Sequence, residues 1–408
     1  MTSPGGTPAT TPIGSRAEAE GFVAMVCFKH GPPRLHGVEL EWTVHHAEDP
    51  RRPLDADRLR TALGAHAPAT LVPGSPQLPL GRGALVTVEP GGQVEISCPA
   101  AASVAGLIDD TAADAAELTA LLRTADLVPG DHGLDAHRTP RRILTVPRYA
   151  AMERAFQRLG PHGPRMMCST AGLQICLDAG EADQTALRWR ALHDLGPALV
   201  ALFANSRRRA GSDTGWASAR TEATFGTYAP FTEPPSLDGD PAAAWARMAM
   251  EAPVLCFRRG DRWDAPRGLT FGAWADGELP GDQPTYDDLA YHLSTLFPPV
   301  RARGYLEVRY LDAQPGDGWI APTLLLTALM SDPAVLGDVL AAAEPAAGRW
   351  LEAAREGLED KLVRQAAEDV VELGARVLDR TGADTELIDE VATRLHRIVD
   401  ETHGRRAS

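Results

Sequence analysis

This chain lacks most of the features that sort a protein at first sight, and each absence excludes something. No apolar run is long enough to span a bilayer. No basic stripe offsets the net charge of −15, so nucleic acid and anionic membranes are poor partners. The five cysteines (Cys27, Cys98, Cys168, Cys176 and Cys256) are scattered, odd in number and without a C-x-x-C pair. That pattern reads as reduced thiols in a cytoplasmic protein, and no His/Cys set has the spacing of a structural zinc site. There is no G-x-x-x-x-G-K-[ST] phosphate loop, no G-x-S-x-G and no H-E-x-x-H. A Walker-type nucleotide fold, a nucleophile elbow and a zincin helix are thereby set aside. The first residues are rich in Thr, Pro and Gly and lack the apolar core of a signal peptide. Residues 1–15 are expected to form a disordered tail.

What remains is ordinary globular material: 408 residues, 44% hydrophobic and 23% charged. The order of elements is mixed α and β, without a repeating βαβ rhythm. Helical spacing predicts helices over 16–27, 103–125, 149–159, 184–204 with a kink at Gly196-Pro197, and 286–297. Residues 47–83 are proline-rich, with one short helix. The polar, basic stretch 205–227 reads as an ordered loop over a site or as a lid. From 321 to 402 the pattern is almost purely helical, with breaks near Pro333, Pro345 and Gly382 and no convergent polar cluster. The expected organisation is a main domain over 16–332 and a helical region, 333–408, packed on it in a structural role.

Four segments carry the strongest signal. They are Gly37-Val38-Glu39-Leu40-Glu41-Trp42-Thr43-Val44, the stretch 86–98, Leu173-Gln174-Ile175-Cys176-Leu177-Asp178 and Tyr305-Leu306-Glu307-Val308-Arg309-Tyr310. Side chains in a strand alternate faces. Glu39, Glu41 and Thr43 therefore share one face, opposite Val38, Leu40, Trp42 and Val44. In the second segment Pro90-Gly91-Gly92 marks a tight turn, with Thr87 and Glu89 before it and Gln93, Glu95 and Ser97 after it. Gln174, Glu307 and Arg309 alternate with aliphatics in the same way. One sheet with an oily back and a carboxylate-lined front satisfies all four.

Such a front needs a reason. Two carboxylates ~4 Å apart repel by roughly 4 kcal/mol at an effective dielectric near 20. Clustered glutamates raise one another's pKa or hold cations between them. Hard divalent cations with oxygen ligands are the usual partners, and Mg²⁺ is typically shared with substrate phosphates. Arg309, two residues from Glu307, can hold a carboxylate or phosphate on that face. His132, His137 and His162 read as surface residues in turns, Arg207-Arg208-Arg209 as a solvated loop, and Cys176 as a small buried side chain.

These segments resemble the glutamate–cysteine ligases of plants and many bacteria, carboxylate–amine ligases related to glutamine synthetase. The resemblance rests on Gly37-Val38-Glu39-Leu40-Glu41, on Val88-Glu89-Pro90-Gly91-Gly92-Gln93-Val94-Glu95-Ile96-Ser97, on Met166-Met167 before Leu173-Gln174-Ile175, and on Ala204-Asn205-Ser206. It ends with His292-Leu293-Ser294-Thr295-Leu296-Phe297-Pro298-Pro299-Val300-Arg301 running into the fourth strand. It covers roughly residues 22–333. Gly215-Trp216-Ala217-Ser218-Ala219-Arg220 and Tyr310-Leu311-Asp312-Ala313 look closest to the actinobacterial ligases that supply γ-glutamylcysteine for ergothioneine.

The resemblance implies an α+β fold, glutamine-synthetase-like: a curved, mainly antiparallel sheet backed by helices, with a helical C-terminal region. It implies a cytoplasmic enzyme that uses ATP and Mg²⁺ to join the γ-carboxylate of L-glutamate to the amine of L-cysteine through γ-glutamyl phosphate. It implies Glu39, Glu41, Glu89, Glu95, Gln174 and Glu307 at the metals, Glu39, Gln93 and Arg309 at the nucleotide, and Arg309 and Arg220 as catalytic groups on the phosphoryl or carboxylate. The chain departs from several family members at Ser169, where they have arginine, and at Cys176, where they have asparagine. Selectivity for the amine therefore stays open, as do a related ligase using another amine and a carboxylate-metal phosphohydrolase.

Overall fold

A computed structural model describes residues 10–406. Its centre is one six-stranded sheet: β1 (His36–Trp42), β2 (Leu85–Val88), β3 (Val94–Ser97), β4 (Gly172–Leu177), β5 (Val300–Ala302) and β6 (Leu306–Asp312). The order is β2-β3-β1-β4-β6-β5, and every neighbouring pair is antiparallel. The four expected segments thus lie side by side, and period-two alternation sorts them as anticipated. Val38, Leu40, Val86, Val94, Ile96, Ile175 and Val308 are all buried on the back, each contributing about 1.5–3 kcal/mol of apolar transfer energy. The helix α1 (Val104–Arg123) packs against β1 from that side, and α2 (Gly196–Leu202) against β6.

The turn between β2 and β3 shows why two glycines follow Pro90. A Cβ on Gly91 would sit 2.1 Å from the carbonyl oxygen of Cys168, and Gly92 has φ +92°. Only glycine meets both demands without strain.

The first strand ends at Trp42, two residues before the expected Val44. Thr43 leaves the sheet, and Val44–His46 pairs instead with Leu127–Pro129. Gly130 crowds against Thr43 and donates its N–H to the Thr43 carbonyl at 2.7 Å, while the buried Thr43 hydroxyl lies 2.9 Å from His45 Nε2. Thr43 is therefore not part of the acidic face.

The first expected helix appears with its ends as anticipated, Arg16–Cys27, and others appear with shifted ends: Val104–Arg123, Pro147–Gln157, and the pair Thr185–Asp194 and Gly196–Leu202 broken before Pro197. The helix expected over 286–297 stops at Leu293. The stretch 205–227 holds a short hairpin, Arg208–Arg209 with Ser212–Asp213, and a helix, α3 (Ala219–Phe225). The expected tail is a correction in part. Residues 1–9 lie outside the described residues, but Ile13 is fully buried, its N–H bonds to the Pro284 carbonyl at 2.8 Å, and Ser15 caps the first helix. The buried isoleucine and backbone bonds to Pro284 and Tyr286 together hold this segment.

The helices after 333 share the hydrophobic core of the rest. Lys361–Val377 packs on α2 and on Ile320–Leu329. Trp350 reaches furthest, edge-on to Tyr310 at 5.3 Å and tilted on Phe225 at 5.6 Å. Among the described residues no single helix is long and apolar enough to cross a membrane. The bent pair Ile320–Leu329 and Pro333–Ala346 passes by composition alone, and residues 321–329 are buried in the core.

Candidate active site

Over the front of the sheet lies a cavity of about 570 Å³. Its floor is the acidic face: Glu39 and Glu41 from β1, Thr87 and Glu89 from β2 and its turn, Glu95 and Ser97 from β3, and Gln174 from β4. Register explains the clustering. Glu41 stands opposite Glu95, and Glu39 lies between Ser97 and Gln174. The walls come from α4 (Pro147–Gln157) with Arg148, Tyr149 and Met152, from Met166 and Met167, from α3 with Arg220 and Phe225, and from Phe297 to Arg303. Five arginines (Arg148, Arg220, Arg301, Arg303 and Arg309) thus line a cavity with a carboxylate floor.

A β-bulge shapes the far side. Val308 pairs with Ile175 but Leu311 pairs with Leu173, so two residues of β6 oppose Gln174 alone. The extra residue resets the alternation, and Glu307, Arg309 and Asp312 align with Cys176, Gln174 and Gly172 on one face. Arg309 Nη1 donates to Gln174 Oε1, and Gln174 Nε2 donates to Glu95 Oε2 at 2.8 Å. A single chain of bonds therefore crosses the floor from arginine to glutamate.

Charge confinement shows in the acidities. Burial, then Glu95 and Glu307, push Glu39 up to about 8. Burial and Glu89 push Glu95 up to about 7, and Glu41 is held well above the carboxylate range by burial and by Glu89 and Glu95. Glu89 is also raised by burial, with Arg148 and Arg309 opposing. Glu307 goes the other way: although burial raises it, Arg301 and Arg309 bring it down to about 2.

The expected site residues divide accordingly. Glu39, Glu41, Glu89, Glu95, Gln174, Arg220 and Arg309 come together around the cavity. Glu307 does not line it. It is fully buried, with Arg301 Nε 2.5 Å from Oε2, Arg301 Nη2 3.0 Å from Oε1 and Arg309 Nη1 3.1 Å from Oε2. Its oxygens are engaged by guanidinium groups, so its geometry is that of an anchor for two arginines and departs from the expected metal ligand. Gln93 lines the cavity as well, with its amide turned to the protein. Its Nε2 donates to the Thr170 carbonyl at 2.9 Å and its Oε1 accepts from Gly91 N at 3.0 Å, so its amide is spent holding the turn in place. Glu39, Cys176 and Glu307 bring ligand atoms within 4.8 Å of one another, but a soft thiol and an arginine-bound carboxylate make a poor seat for a hard cation.

The remaining groups suit a hard divalent cation. Glu39, Glu41, Glu89 and Glu95 offer oxygen ligands, and their pKa values are raised by burial first and by one another second, a repulsion that a cation would relieve. Gln174, bonded to Arg309 and Glu95, stands beside them. Sequence reading missed Arg148 and Arg301. Arg148 is held by the Ser294 hydroxyl at 3.0 Å and carbonyl at 2.9 Å, over the Tyr291 ring. Arg301 had a readable signal: Val300-Arg301-Ala302-Arg303-Gly304 before a strand is a hairpin, which sets Arg301 across from Glu307. The histidine of the H-L-S-T segment proves structural. His292 is buried, its Nε2 2.8 Å from the Ala249 carbonyl and its ring stacked on Phe271. His162, expected at the surface, is part-buried 3.2 Å from Glu222.

The model of glutamate-cysteine ligase family 2 (GCS2) matches residues 35–408. This chain belongs to that family. It is 37% identical over 394 residues to the glutamate–cysteine ligase EgtA of Mycolicibacterium smegmatis, covering 95% of this chain and 89% of that one. The chloroplastic glutamate–cysteine ligase of Brassica juncea is 28% identical over 323 residues, 73% of this chain and 61% of its own. Among solved structures, a bifunctional glutathione synthetase from Pasteurella multocida superposes with a TM-score of 0.50 at 12% identity, over 95% of this chain and 51% of that one. That likeness concerns the fold alone, and it accords with the expected glutamine-synthetase-like class. For a member of this family, the cavity over the acidic sheet face is the natural place for chemistry.

Proposed function

We propose that this chain joins the γ-carboxylate of L-glutamate to the amine of L-cysteine at the expense of ATP, giving γ-glutamylcysteine, with ergothioneine biosynthesis as its outlet. The observation that carries the reading is the pairing, within one cavity, of a carboxylate floor with five lining arginines. Glu39, Glu41, Glu89 and Glu95 would hold Mg²⁺, with Gln174 beside the metal shell. The metal supplies neutralisation of phosphate charge when bound.

The chain's own groups do the rest by position and charge. A carboxylate is a poor electrophile and hydroxide a poor leaving group, so glutamate must first be phosphorylated by ATP. Arg309 and Arg220 hold the carboxylate and the transferring phosphoryl. Arg301, fixed by Glu307, adds positive charge beside them, and Arg148, held by Ser294, adds positive charge toward Glu89. The cysteine amine then attacks the γ-glutamyl phosphate and phosphate departs. No side chain forms a covalent bond to substrate. Met152, Met166, Met167 and Phe297 give the cavity an apolar side that shields the acyl phosphate from water.

The test is phosphate release from ATP and Mg²⁺ with L-glutamate, with and without L-cysteine and beside other amines. Cysteine-dependent release with γ-glutamylcysteine as product is expected. Preference for another amine moves the acceptor, and glutamate-independent hydrolysis overturns the ligase reading.

A further inference from the structure

Asp312, at the end of β6, is buried to 2% exposure and touches no part of the cavity floor. Its carboxylate nevertheless gathers donors from a separate segment of the chain. Oδ2 accepts from Asn205 N at 2.8 Å and from Ser206 Oγ at 2.7 Å, and Oδ1 accepts from Ser218 Oγ at 2.9 Å.

Each hydroxyl passes the order on. Ser206 Oγ accepts from Arg220 N at 3.0 Å, and Ser218 Oγ caps α3 by accepting from Thr221 N at 3.2 Å. The Arg220 side chain returns to the same carboxylate, with Nη1 4.0 Å from Oδ1, while Nη2 donates to the Arg309 carbonyl at 2.7 Å. A Cβ on Gly172 would lie 2.4 Å from Nη2, so this path to the cavity is open only past a glycine. Arg220 Nε is buried without a hydrogen-bond partner among the described residues, which leaves donor capacity for a ligand.

We infer that Asp312 is a positioning residue: it ties residues 205–218 to the sheet and, through Ser206 and its own charge, sets the direction in which Arg220 meets an anionic substrate. The reasoning is one of polarity. An ionised carboxylate only accepts, so it obliges both serine hydroxyls to point inward and frees their lone pairs for the backbone of α3. A carboxamide of the same shape carries two donors and breaks that order. The bulge at Val308/Leu311 is what turns Asp312 to this face. The kinetic half of the inference rests on the proposed ligase function; the tether does not.

The experiment uses the full chain with Asp312→Asn, Ser206→Ala, Arg220→Met and the combinations of each with Arg220→Met. In the cysteine-dependent reaction, Asp312→Asn is expected to lower kcat/KM for L-glutamate at least tenfold in the parent and less than twofold on the Arg220→Met background. Ser206→Ala should repeat the pattern at threefold or more, and it stands in if Asp312→Asn does not fold. Equal fold-losses on both backgrounds would mean that Asp312 does not act through Arg220. Hydrogen exchange supplies a readout without turnover: amides of 205–218 should exchange at least tenfold faster in Asp312→Asn and at the parent rate in Arg220→Met. Unchanged exchange in Asp312→Asn overturns the tether. A parent protein without glutamate turnover overturns the ligase reading instead, and the exchange result still decides for or against Asp312.

Discussion

Arg301 closes a two-pronged ion pair on Glu307, with Nε 2.5 Å from Oε2 and Nη2 3.0 Å from Oε1, and the carboxylate has no exposed surface. Removing one member leaves the other buried and uncompensated, which costs about 3–5 kcal/mol. Glu307→Gln is therefore expected to lower stability by that order and turnover at least a hundredfold, because Arg301 and Arg309 lose their anchor together. Denaturant midpoints and kcat measured side by side check it. Near-parental values of both would show that the pair is incidental. Arg309→Lys should fold normally yet lose most activity, since an ammonium cannot bridge Gln174, Glu307 and a substrate as a planar fork does.

Glu41 stands opposite Glu95; burial, then Glu89 and Glu95, hold Glu41 well above the ordinary carboxylate range, and burial with Glu89 raises Glu95. Without a cation, Glu41→Gln removes repulsion while keeping an acceptor for Gly172 N, bonded at 2.9 Å in the parent. The variant is expected to melt at a higher temperature than the parent in chelator, and to be nearly inactive. Mg²⁺ should raise the Tm of the parent, by about 2.7 kcal/mol of stabilisation at a hundredfold excess over Kd, and raise that of Glu41→Gln much less. Equal Mg²⁺ shifts in the two proteins would remove Glu41 from the metal site.

His193 and His292 are buried and neutral, each pushed down to about 4 by burial. A folded pKa below the unfolded value of about 6.5 means that the unfolded chain binds the extra proton. Stability from these groups is full above pH 6.5 and is lost as pH falls toward 4, by up to roughly 3 kcal/mol each. Thermal unfolding followed from pH 8 to pH 4 should show that acid limb. His292→Gln should flatten it, at the cost of a lower Tm at neutral pH. An unaltered limb would place the titration elsewhere.

Trp350 fills the space beside Gly196, where a Cβ would meet its ring at 1.8 Å, and it supports Phe225 and Tyr310. Trp350→Ala is expected to cost about 3–5 kcal/mol and to raise KM, because Phe225 lines the cavity. A stability loss without any kinetic change would confine the C-terminal helices to a purely structural part.

Much of this was legible because a strand writes its two faces into alternate positions. Glu39, Glu41, Glu95 and Gln174 could be placed on one surface from spacing alone, and Pro90-Gly91-Gly92 named its own turn. Arg148 could not be placed, since a helix residue reaches a site only through the packing of that helix, here against Ser294. Thr43 was misplaced because alternation continues on paper where Gly130 draws the chain into another ladder. Ile13 was missed because a composition-based reading of a tail cannot see the single side chain that docks.

The sequence by itself determined the acidic sheet face, its apolar back, the tight turn and the family, all of which depend on local period and local strings. Tertiary structure alone decided which acids stay free and which are neutralised. Glu307 and Glu39 look alike in sequence, yet one sits beneath Arg301 and the other opposite Gln174. It also decided the bulge that turns Asp312 toward Ser206 and Ser218, a hundred residues away in the chain. Register between distant strands sets both, because a shift of one residue exchanges the faces of everything that follows.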